Sequence, residues 1–579
     1  MKRLIYLSVI LFSALLTIGC HKEKKPKKTD KMLIYQVFTR LFGSDKENTV
    51  FNGNLSENGV GKFDDFTSVA LDSIAGMGMS HIWYTGVIEH ASIYTIDTVG
   101  GIQKNHPSMI KGKAGSPYAI KDYYDVNAYL ANNIDNRMAE FDALIKRTHD
   151  AGLGVIIDFV PNHVARGYHS DSAPDGIEDF GASDDQTVEF LASNNYYYLP
   201  DESLEPTFDV EYNGIVYKES PAKVTGNDQF TSKPQVNDWY ETIKLNYGVD
   251  YKNGRMQHFD PIPDTWLKMR DILMFWSAKG VDGFRCDMAE MVPVEFWGWV
   301  IAEVNELYPD IFFIAEIYNP AAYEEYIFEG RFDYLYDKVG LYDSLKSVIQ
   351  GKSSSIAISK SREKVASVQQ YMLNFLENHD EQRIPWFEFA GNAEAGLPMM
   401  LVSTLSDSIP MMIYFGQEIG VESPDATGFS GADGRTTIFD FYSMPEYQKW
   451  RNNGTFDGAN LSNLQKRLRK NYVDILEIAR WKEVFMNGAF VDLTMNDKGS
   501  SDKVYAFIRH NEKEAAIVVS NLSDQTVSTS YTLPKELQGL PFEDVLYCNN
   551  RNYVVDVNSN GTIYMEIPPY QAMILKSDK

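Results

Sequence analysis

Cysteine is scarce in this chain, with three residues in 579, at positions 20, 286 and 548. This scarcity argues against a fold held together by disulfides, and we expect Cys286 and Cys548 to be buried thiols without a catalytic role. Positively charged residues are also few, since 54 Lys and Arg residues are outnumbered by 80 Asp and Glu residues, which gives a net charge of −26. That balance argues against nucleic acid as a partner and favours a neutral or cationic one.

Internal repeats are absent from the sequence, and the lysine-rich segment 21–31 is its one low-complexity tract. Before that segment, Met1, Lys2 and Arg3 are followed by the apolar run Leu4–Ile18 and then by Gly19-Cys20. The run is too short to span a bilayer and is typical of an export signal.

Gly19-Cys20 resembles the cleavage site of bacterial lipoproteins. The resemblance implies that residues 1–20 are a signal peptide, that Cys20 becomes the lipidated first residue, and that residues 21–31 form a basic, flexible tether. It predicts an exported protein held to a membrane of the cell envelope, facing the periplasm or the cell surface. The alternative is an ordinary signal peptide that is cut nearby.

Eight apolar segments recur along the chain, and helical patterns lie between most of them. One such pattern begins at Asp264 or Thr265 as the N-cap and ends before Gly280, where a left-handed residue closes a helix. Eight strands alternating with helices predict a (β/α)8 TIM barrel. The segments are 32–42, 80–88, 154–160, 280–288, 311–318, 332–337, 371–380 and 410–420.

The spacing of these segments predicts how the domains are arranged. More than a hundred residues, rich in Asp, Asn, Ser and Tyr, separate the third segment from the fourth. An insertion of that size predicts a subdomain over the barrel mouth, residues 164–255, between barrel parts 32–163 and 256–482. From residue 483 to 579, apolar residues alternate at period two between polar turns, which predicts a C-terminal antiparallel β-sandwich domain.

Barrel enzymes place their chemistry at the C-terminal ends of the strands. Three carboxylates there, from three different strands, should converge on one mouth. Because Arg285 and Asp287 share one face of a strand, we expect the guanidinium to keep that carboxylate ionised, although a purely structural ion pair is the alternative. The polar residues that this rule selects are Asp158, Asn162 and His163, then Asp287, Glu316, His379 and Asp380.

Four short motifs carry these residues in order: DFVPNH, GFRCDMAE, the glutamate of IAEIY, and ENHD. Together they resemble the signatures of the α-amylase family, glycoside hydrolase family 13. The resemblance implies that Asp287 is the nucleophile, Glu316 the general acid/base and Asp380 the stabiliser of the transition state. Double displacement between one ionised and one protonated carboxyl group retains the anomeric configuration.

The resemblance also implies residues that bind the sugar. His163 and His379 would donate hydrogen bonds to sugar hydroxyls, and Tyr118 would stack on the sugar at the cleavage site. Ser116-Pro117 stand before that tyrosine where the family commonly has His-Gly. An aromatic content of 13% suits a sugar-binding protein, although most such rings belong to a core.

Many family members hold a structural calcium ion between the barrel and the inserted subdomain, and Asn162 matches one of its ligands. Calcium takes six to eight oxygen ligands, and the acidic insertion offers many candidates. After the nucleophile, many members have Lys-His, whose histidine gives a backbone oxygen to calcium, whereas this chain has Glu290-Met291. A backbone oxygen survives such a substitution. The family usually has a further motif in this subdomain, and the nearest candidate for it in this chain is KLNYG, around Asn246.

We therefore predict a retaining hydrolase of α-1,4 bonds in starch, maltodextrin or related α-glucans. An α-glucan transglycosylase or an exo-α-glucosidase would keep the same active site. A starch-binding lipoprotein without activity is the alternative from another class, and it predicts missing carboxylates, whereas all three are present.

Overall fold

The computed structural model describes residues 31–46, 49–93, 105–425, 429, 431–496, 501–546, 554–555 and 561–579. The predicted signal peptide, the lipidation site Cys20, nearly all of the tether and Cys548 lie outside these residues. Within the described ranges, no helix combines the length and the apolarity needed to cross a membrane.

Eight parallel strands close into a barrel, so the prediction of a TIM barrel is confirmed. Each strand lies inside one of the eight predicted segments and pairs with its neighbours in sequence, and the last pairs with the first. Nearly every strand residue is buried, since the strands are covered by helices outside and by packed side chains inside. The strands are β1 Leu33–Phe38, β2 His81–Thr85, β3 Gly154–Phe159, β4 Gly283–Cys286, β5 Phe312–Ala315, β6 Tyr334–Tyr336, β7 Met372–Phe375 and β8 Met411–Tyr414.

The helix before β4 shows how closely local signals determine an element. It spans Asp264–Ala278, and Gly280 follows it with a φ of +94°, as predicted. The predicted N-cap is wrong by one residue, because Pro263 is the N-cap. The Asp264 side chain accepts from Asn195 and pairs with Lys268 instead of capping the helix.

The other helices of four or more residues follow the same alternation. Those of the barrel and its loops are Thr39–Phe42, Leu55–Asn58, Ser68–Ala75, Arg137–Asp150, Val294–Leu307, Tyr323–Phe328, the π-helix Lys338–Tyr342, Asp343–Ile349, Ile356–Lys364, Gly396–Leu405, Pro445–Arg451 and Asn463–Trp481. Two more, Glu483–Asn487 and Leu493–Asn496, follow them.

Short two-stranded sheets build the insertion after β3. The strand His163–Ala165 pairs with Thr242–Lys244, so the two ends of the insertion meet at the exit of β3. A further hairpin after β2, which the sequence did not predict, pairs Ile88–His90 with Ile120–Val126. The remaining pairs are Tyr198–Leu199 with Ala222–Lys223, Glu211–Tyr212 with Ile215–Val216, and Val249–Asp250 with Met256–Gln257.

The C-terminal region contains two antiparallel sheets, as predicted. Alternate residues of the larger sheet face two different cores. Ile508 and Ile517 pack against the second sheet, while Phe507 and Val518 pack into the core of the barrel. The larger sheet has the order Ala489–Asp492, Val504–His510, Glu514–Asn521, Ala572–Asp578, Phe542–Asp544, Val554–Val555, and the smaller one pairs Val527–Thr532 with Thr562–Ile567.

Candidate active site

A cavity of about 720 Å³ opens at the C-terminal ends of the barrel strands. Asp287, Glu316 and Asp380 line it together, although they follow three different strands. Tyr118 and His163 are also in its wall. The structure therefore brings five of the predicted site residues to one place.

Arg285 lies at the centre of this arrangement and is fully buried. Its Nη1 is 2.7 Å from Asp287 Oδ1, and its Nη2 is 2.7 Å from Glu316 Oε1. The Nε donates to the hydroxyl of Tyr336 at 3.2 Å. One guanidinium thus joins both carboxylates, whereas strand alternation predicted only the contact with Asp287.

The charge state of Asp287 follows from competing effects. Burial raises the pKa of this carboxyl group well above its usual range, Arg285 lowers it, and the charge of Glu316 raises it again. The expectation that Arg285 keeps the aspartate ionised therefore describes only one of these effects. Double displacement requires one ionised and one protonated carboxyl group.

Glu316 is held by an ion pair with Arg285 and by two hydrogen bonds. Besides Arg285, the hydroxyl of Tyr318 donates to Oε1 at 2.6 Å and the backbone N–H of Met288 donates to Oε2 at 2.8 Å. Tyr318 was not among the residues predicted from the sequence, and it is half-buried and lines the cavity. Its signal was the i, i+2 spacing in IAEIY, which places both side chains on one face of an extended segment.

Asp380 is the most open of the three carboxylates, with 27% of its side chain exposed. Its Oδ2 lies 3.0 Å from His379 Nε2. Burial acts to raise the pKa of Asp380, but this contact and the charges of Arg285 and Arg435 bring it below its usual value. Asp380 is therefore suited to remain an exposed anion in the cavity.

His379 lies behind Asp380, and its predicted contact with a sugar hydroxyl stays a prediction. The ring is 1% exposed, contacts the Tyr118 hydroxyl, and has Gln36 Nε2 2.8 Å from its Nδ1. Because the amide nitrogen donates to Nδ1, the ring proton lies on Nε2 and points to Asp380. In this arrangement the ring orients the carboxylate.

Tyr118 and His163 both lie in the cavity wall. The Tyr118 ring stacks on His379 with 5.2 Å between ring centroids. The His163 ring lies 5.2 Å from that of Trp239, which the sequence analysis did not select. Burial and the neighbouring charge of Lys244 lower the pKa of His163 to about 3, so this ring is neutral.

Asn162, the predicted calcium ligand, faces an ammonium group. Its Oδ1 accepts from Lys244 Nζ at 2.5 Å, and its Nδ2 donates to the carbonyl of Gly226 at 2.8 Å. Among the described residues, no group of three or more His, Cys, Asp or Glu side chains is arranged to hold a metal ion. The calcium site stays a prediction, and the residues around Asn162 as they stand do not fit a second cation beside Lys244.

Comparison with known proteins agrees with this geometry. Residues 36–471 match the alpha amylase catalytic domain, and residues 495–578 match the alpha amylase C-terminal all-beta domain. The maltogenic alpha-amylase AmyB of Thermotoga neapolitana superposes with a TM-score of 0.62 at 18% identity, covering 95% of this chain and 99% of that one.

Two relatives extend over most of the sequence. Alpha-amylase 2 of Dictyoglomus thermophilum is 20% identical over 505 residues, which cover 86% of this chain and 71% of that protein. Alpha-amylase 3 of the same organism is 23% identical over 477 residues, which cover 78% and 83%. The chain belongs to the alpha-amylase family and is an amylase-like glycosidase.

Proposed function

We propose that this protein hydrolyses α-1,4-glucosidic bonds of starch or maltodextrin with retention of the anomeric configuration. The observation that carries the proposal is the guanidinium of Arg285, which holds Asp287 and Glu316 side by side in one cavity. Retaining glycosidases need this pair, one carboxylate to attack and one carboxyl group to protonate the leaving oxygen.

The reaction proceeds in two steps that use the same two groups. The Asp287 carboxylate forms a bond to the anomeric carbon, while the proton on Glu316 passes to the departing glycosidic oxygen. This leaves a glucosyl ester on Asp287. Glu316, now ionised, then takes a proton from water, whose oxygen attacks the same carbon and releases Asp287.

The other cavity residues bind and orient the sugar. Asp380, ionised and open, accepts hydrogen bonds from sugar hydroxyls and stabilises the positive charge that develops on the ring. The Tyr118 ring offers an apolar face for stacking. Neutral His163 donates or accepts a hydrogen bond without adding charge to the cavity.

The test is hydrolysis of soluble starch by the purified protein, with reducing ends and product lengths followed in time. Asp287→Asn should lower the rate by about 10⁴-fold or more, since the covalent path is lost. Asp142→Asn is the control, because Asp142 is a half-exposed partner of Lys279 on the outside of the barrel. Mixed oligosaccharides early in the reaction indicate endo action.

Other outcomes would revise the proposal. Glucose as the sole product would indicate an exo-α-glucosidase, and longer products from a maltooligosaccharide donor would indicate a transglycosylase. Starch that binds without being cleaved would contradict the hydrolase and favour the binding protein.

We also propose that Cys20 carries a lipid that anchors the protein in the cell envelope. The support is the order of a basic start, an apolar run, Gly19-Cys20 and a lysine-rich tether. Cells grown with labelled palmitate should label the wild-type protein in the membrane fraction, and Cys20→Ser should lose the label and the membrane association. An unlabelled, freely exported wild-type protein would indicate an ordinary signal peptide.

A further inference from the structure

Lys244 is a buried cation at the junction of three parts of the molecule. It ends the strand Thr242–Lys244, pairs in register with His163 and is 1% exposed. Its Nζ lies 2.5 Å from Asn162 Oδ1, 2.7 Å from Asp228 Oδ1 and 3.2 Å from the carbonyl oxygen of Met291. The ammonium group donates hydrogen bonds to Asn162 and to the Met291 carbonyl, and its contact with Asp228 Oδ1 is an ion pair.

The three oxygens come from separate elements. Asn162 follows β3, Asp228 belongs to the insertion, and Met291 lies in the loop after β4, four residues beyond Asp287. A buried charge needs a partner of opposite sign, which Asp228 provides. Lys244 therefore ties the insertion to two barrel loops that each carry a residue of the cavity wall.

These oxygens are of the types that a calcium ion binds, namely an amide, a carboxylate and a backbone carbonyl. The Asn162 side chain and the Met291 carbonyl are the two groups that the family resemblance assigned to calcium. A divalent cation at the same oxygens would lie within a few ångströms of Nζ, where two positive charges repel strongly.

We propose that the Lys244 ammonium replaces the structural calcium ion, so that the fold and the activity of this protein require no bound metal. Lys244 is then a positioning residue for the catalytic cavity. It holds the loop of Asn162, next to His163, against the loop that follows Asp287. The proposal concerns the scaffold and is independent of which glucan is cleaved.

The first test measures metal content and thermal unfolding of the wild-type protein and needs no substrate. Protein purified without chelator should contain no stoichiometric calcium, and its unfolding temperature should be the same in EDTA and in calcium chloride. Stoichiometric calcium, or an unfolding temperature that falls in EDTA and returns with calcium, would overturn the proposal. This test decides even if every variant of Lys244 fails to fold.

The second test asks whether a cation site lies where Nζ lies. Lys244→Ala should lower the unfolding temperature by about 5 °C or more, because Asp228 loses its buried partner, and calcium chloride should restore part of the loss. Lys244→Met fills the space without charge, so it should lose stability with no response to calcium. Lys252→Ala, at an exposed pair with Glu189, is the control and should change little.

An equal and calcium-insensitive loss in Lys244→Ala and Lys244→Met would mean that the ammonium only pairs with Asp228. If Lys244→Ala lowers the unfolding temperature as little as Lys252→Ala does, the Lys244 ammonium group does not hold the two loops together. Either result would overturn the proposal.

Discussion

The hydroxyl of Tyr318 donates a hydrogen bond of 2.6 Å to Oε1 of Glu316, the same oxygen that contacts Arg285. The proposed acid/base group is therefore held between a neutral donor and a cation. Both contacts fix the position of this carboxyl group in the cavity. Tyr318 thus acts through Glu316.

Removal of that donor should slow catalysis. A hydrogen bond to a charged group contributes about 1.5–3 kcal/mol, so Tyr318→Phe should lower kcat by about 10- to 100-fold. KM should change less than kcat, since the hydroxyl positions the carboxyl group that transfers the proton. Tyr564→Phe, at an exposed position of the C-terminal region, is the control. A KM that rises while kcat stays unchanged would contradict this role of Tyr318.

Replacement of Arg285 by lysine should be severe although the charge is kept. A single ammonium cannot reproduce the planar fork that reaches Asp287 and Glu316 together. We expect a loss of about 3 kcal/mol in the free energy of unfolding, with kcat/KM reduced by more than the loss of folded protein explains. Arg467→Lys, at a half-exposed pair with Glu394, should retain stability and activity. Wild-type activity in Arg285→Lys would mean that the fork is not needed.

The pKa of Asp287 predicts where activity fails in acid. A raised pKa means that Asp287, the proposed nucleophile, takes up a proton at a higher pH than an ordinary aspartate, and the protonated form cannot attack. Activity should therefore fall as the pH drops through this raised value, so the acid limb of kcat/KM should lie clearly above the ordinary aspartate pKa of about 4. The measurement is kcat/KM on a soluble maltooligosaccharide between pH values at which the protein stays folded. An acid limb at or below the ordinary value would show that Arg285 outweighs burial.

Gly280 should be needed for stability and dispensable for chemistry. Its φ is +94°, and an added Cβ would make only ordinary contacts, with Ile145 Cγ2 at 3.8 Å and His149 Cε1 at 3.9 Å, so the cost of Gly280→Ala is backbone strain. We expect a loss of about 1–2 kcal/mol in the free energy of unfolding, with the activity of the folded protein unchanged. Lys279→Ala, one residue earlier, removes an ion pair with the half-exposed Asp142 and should cost less than about 1 kcal/mol. Equal losses in both variants would contradict the strain argument.

The sequence predicted those features whose signals lie within one element. Eight apolar segments gave the barrel strands, and the strand ends gave the three carboxylates that share the cavity. It did not predict contacts that depend on how distant loops meet. Lys244 is 82 residues from Asn162 and 47 from Met291, and no pattern near it in the chain indicates what its ammonium group contacts.

The larger C-terminal sheet shares its apolar residues between two neighbours, since Phe507 and Val518 belong to the barrel core and Ile508 and Ile517 to the core beneath the smaller sheet. A protein engineer therefore cannot treat this region as a removable tail. Truncating the chain before residue 489 would expose an apolar surface on the barrel. A different domain fused there would need side chains that pack against that surface. The interface between the barrel and the C-terminal region is a continuous apolar contact, so the two regions should unfold in a single cooperative transition.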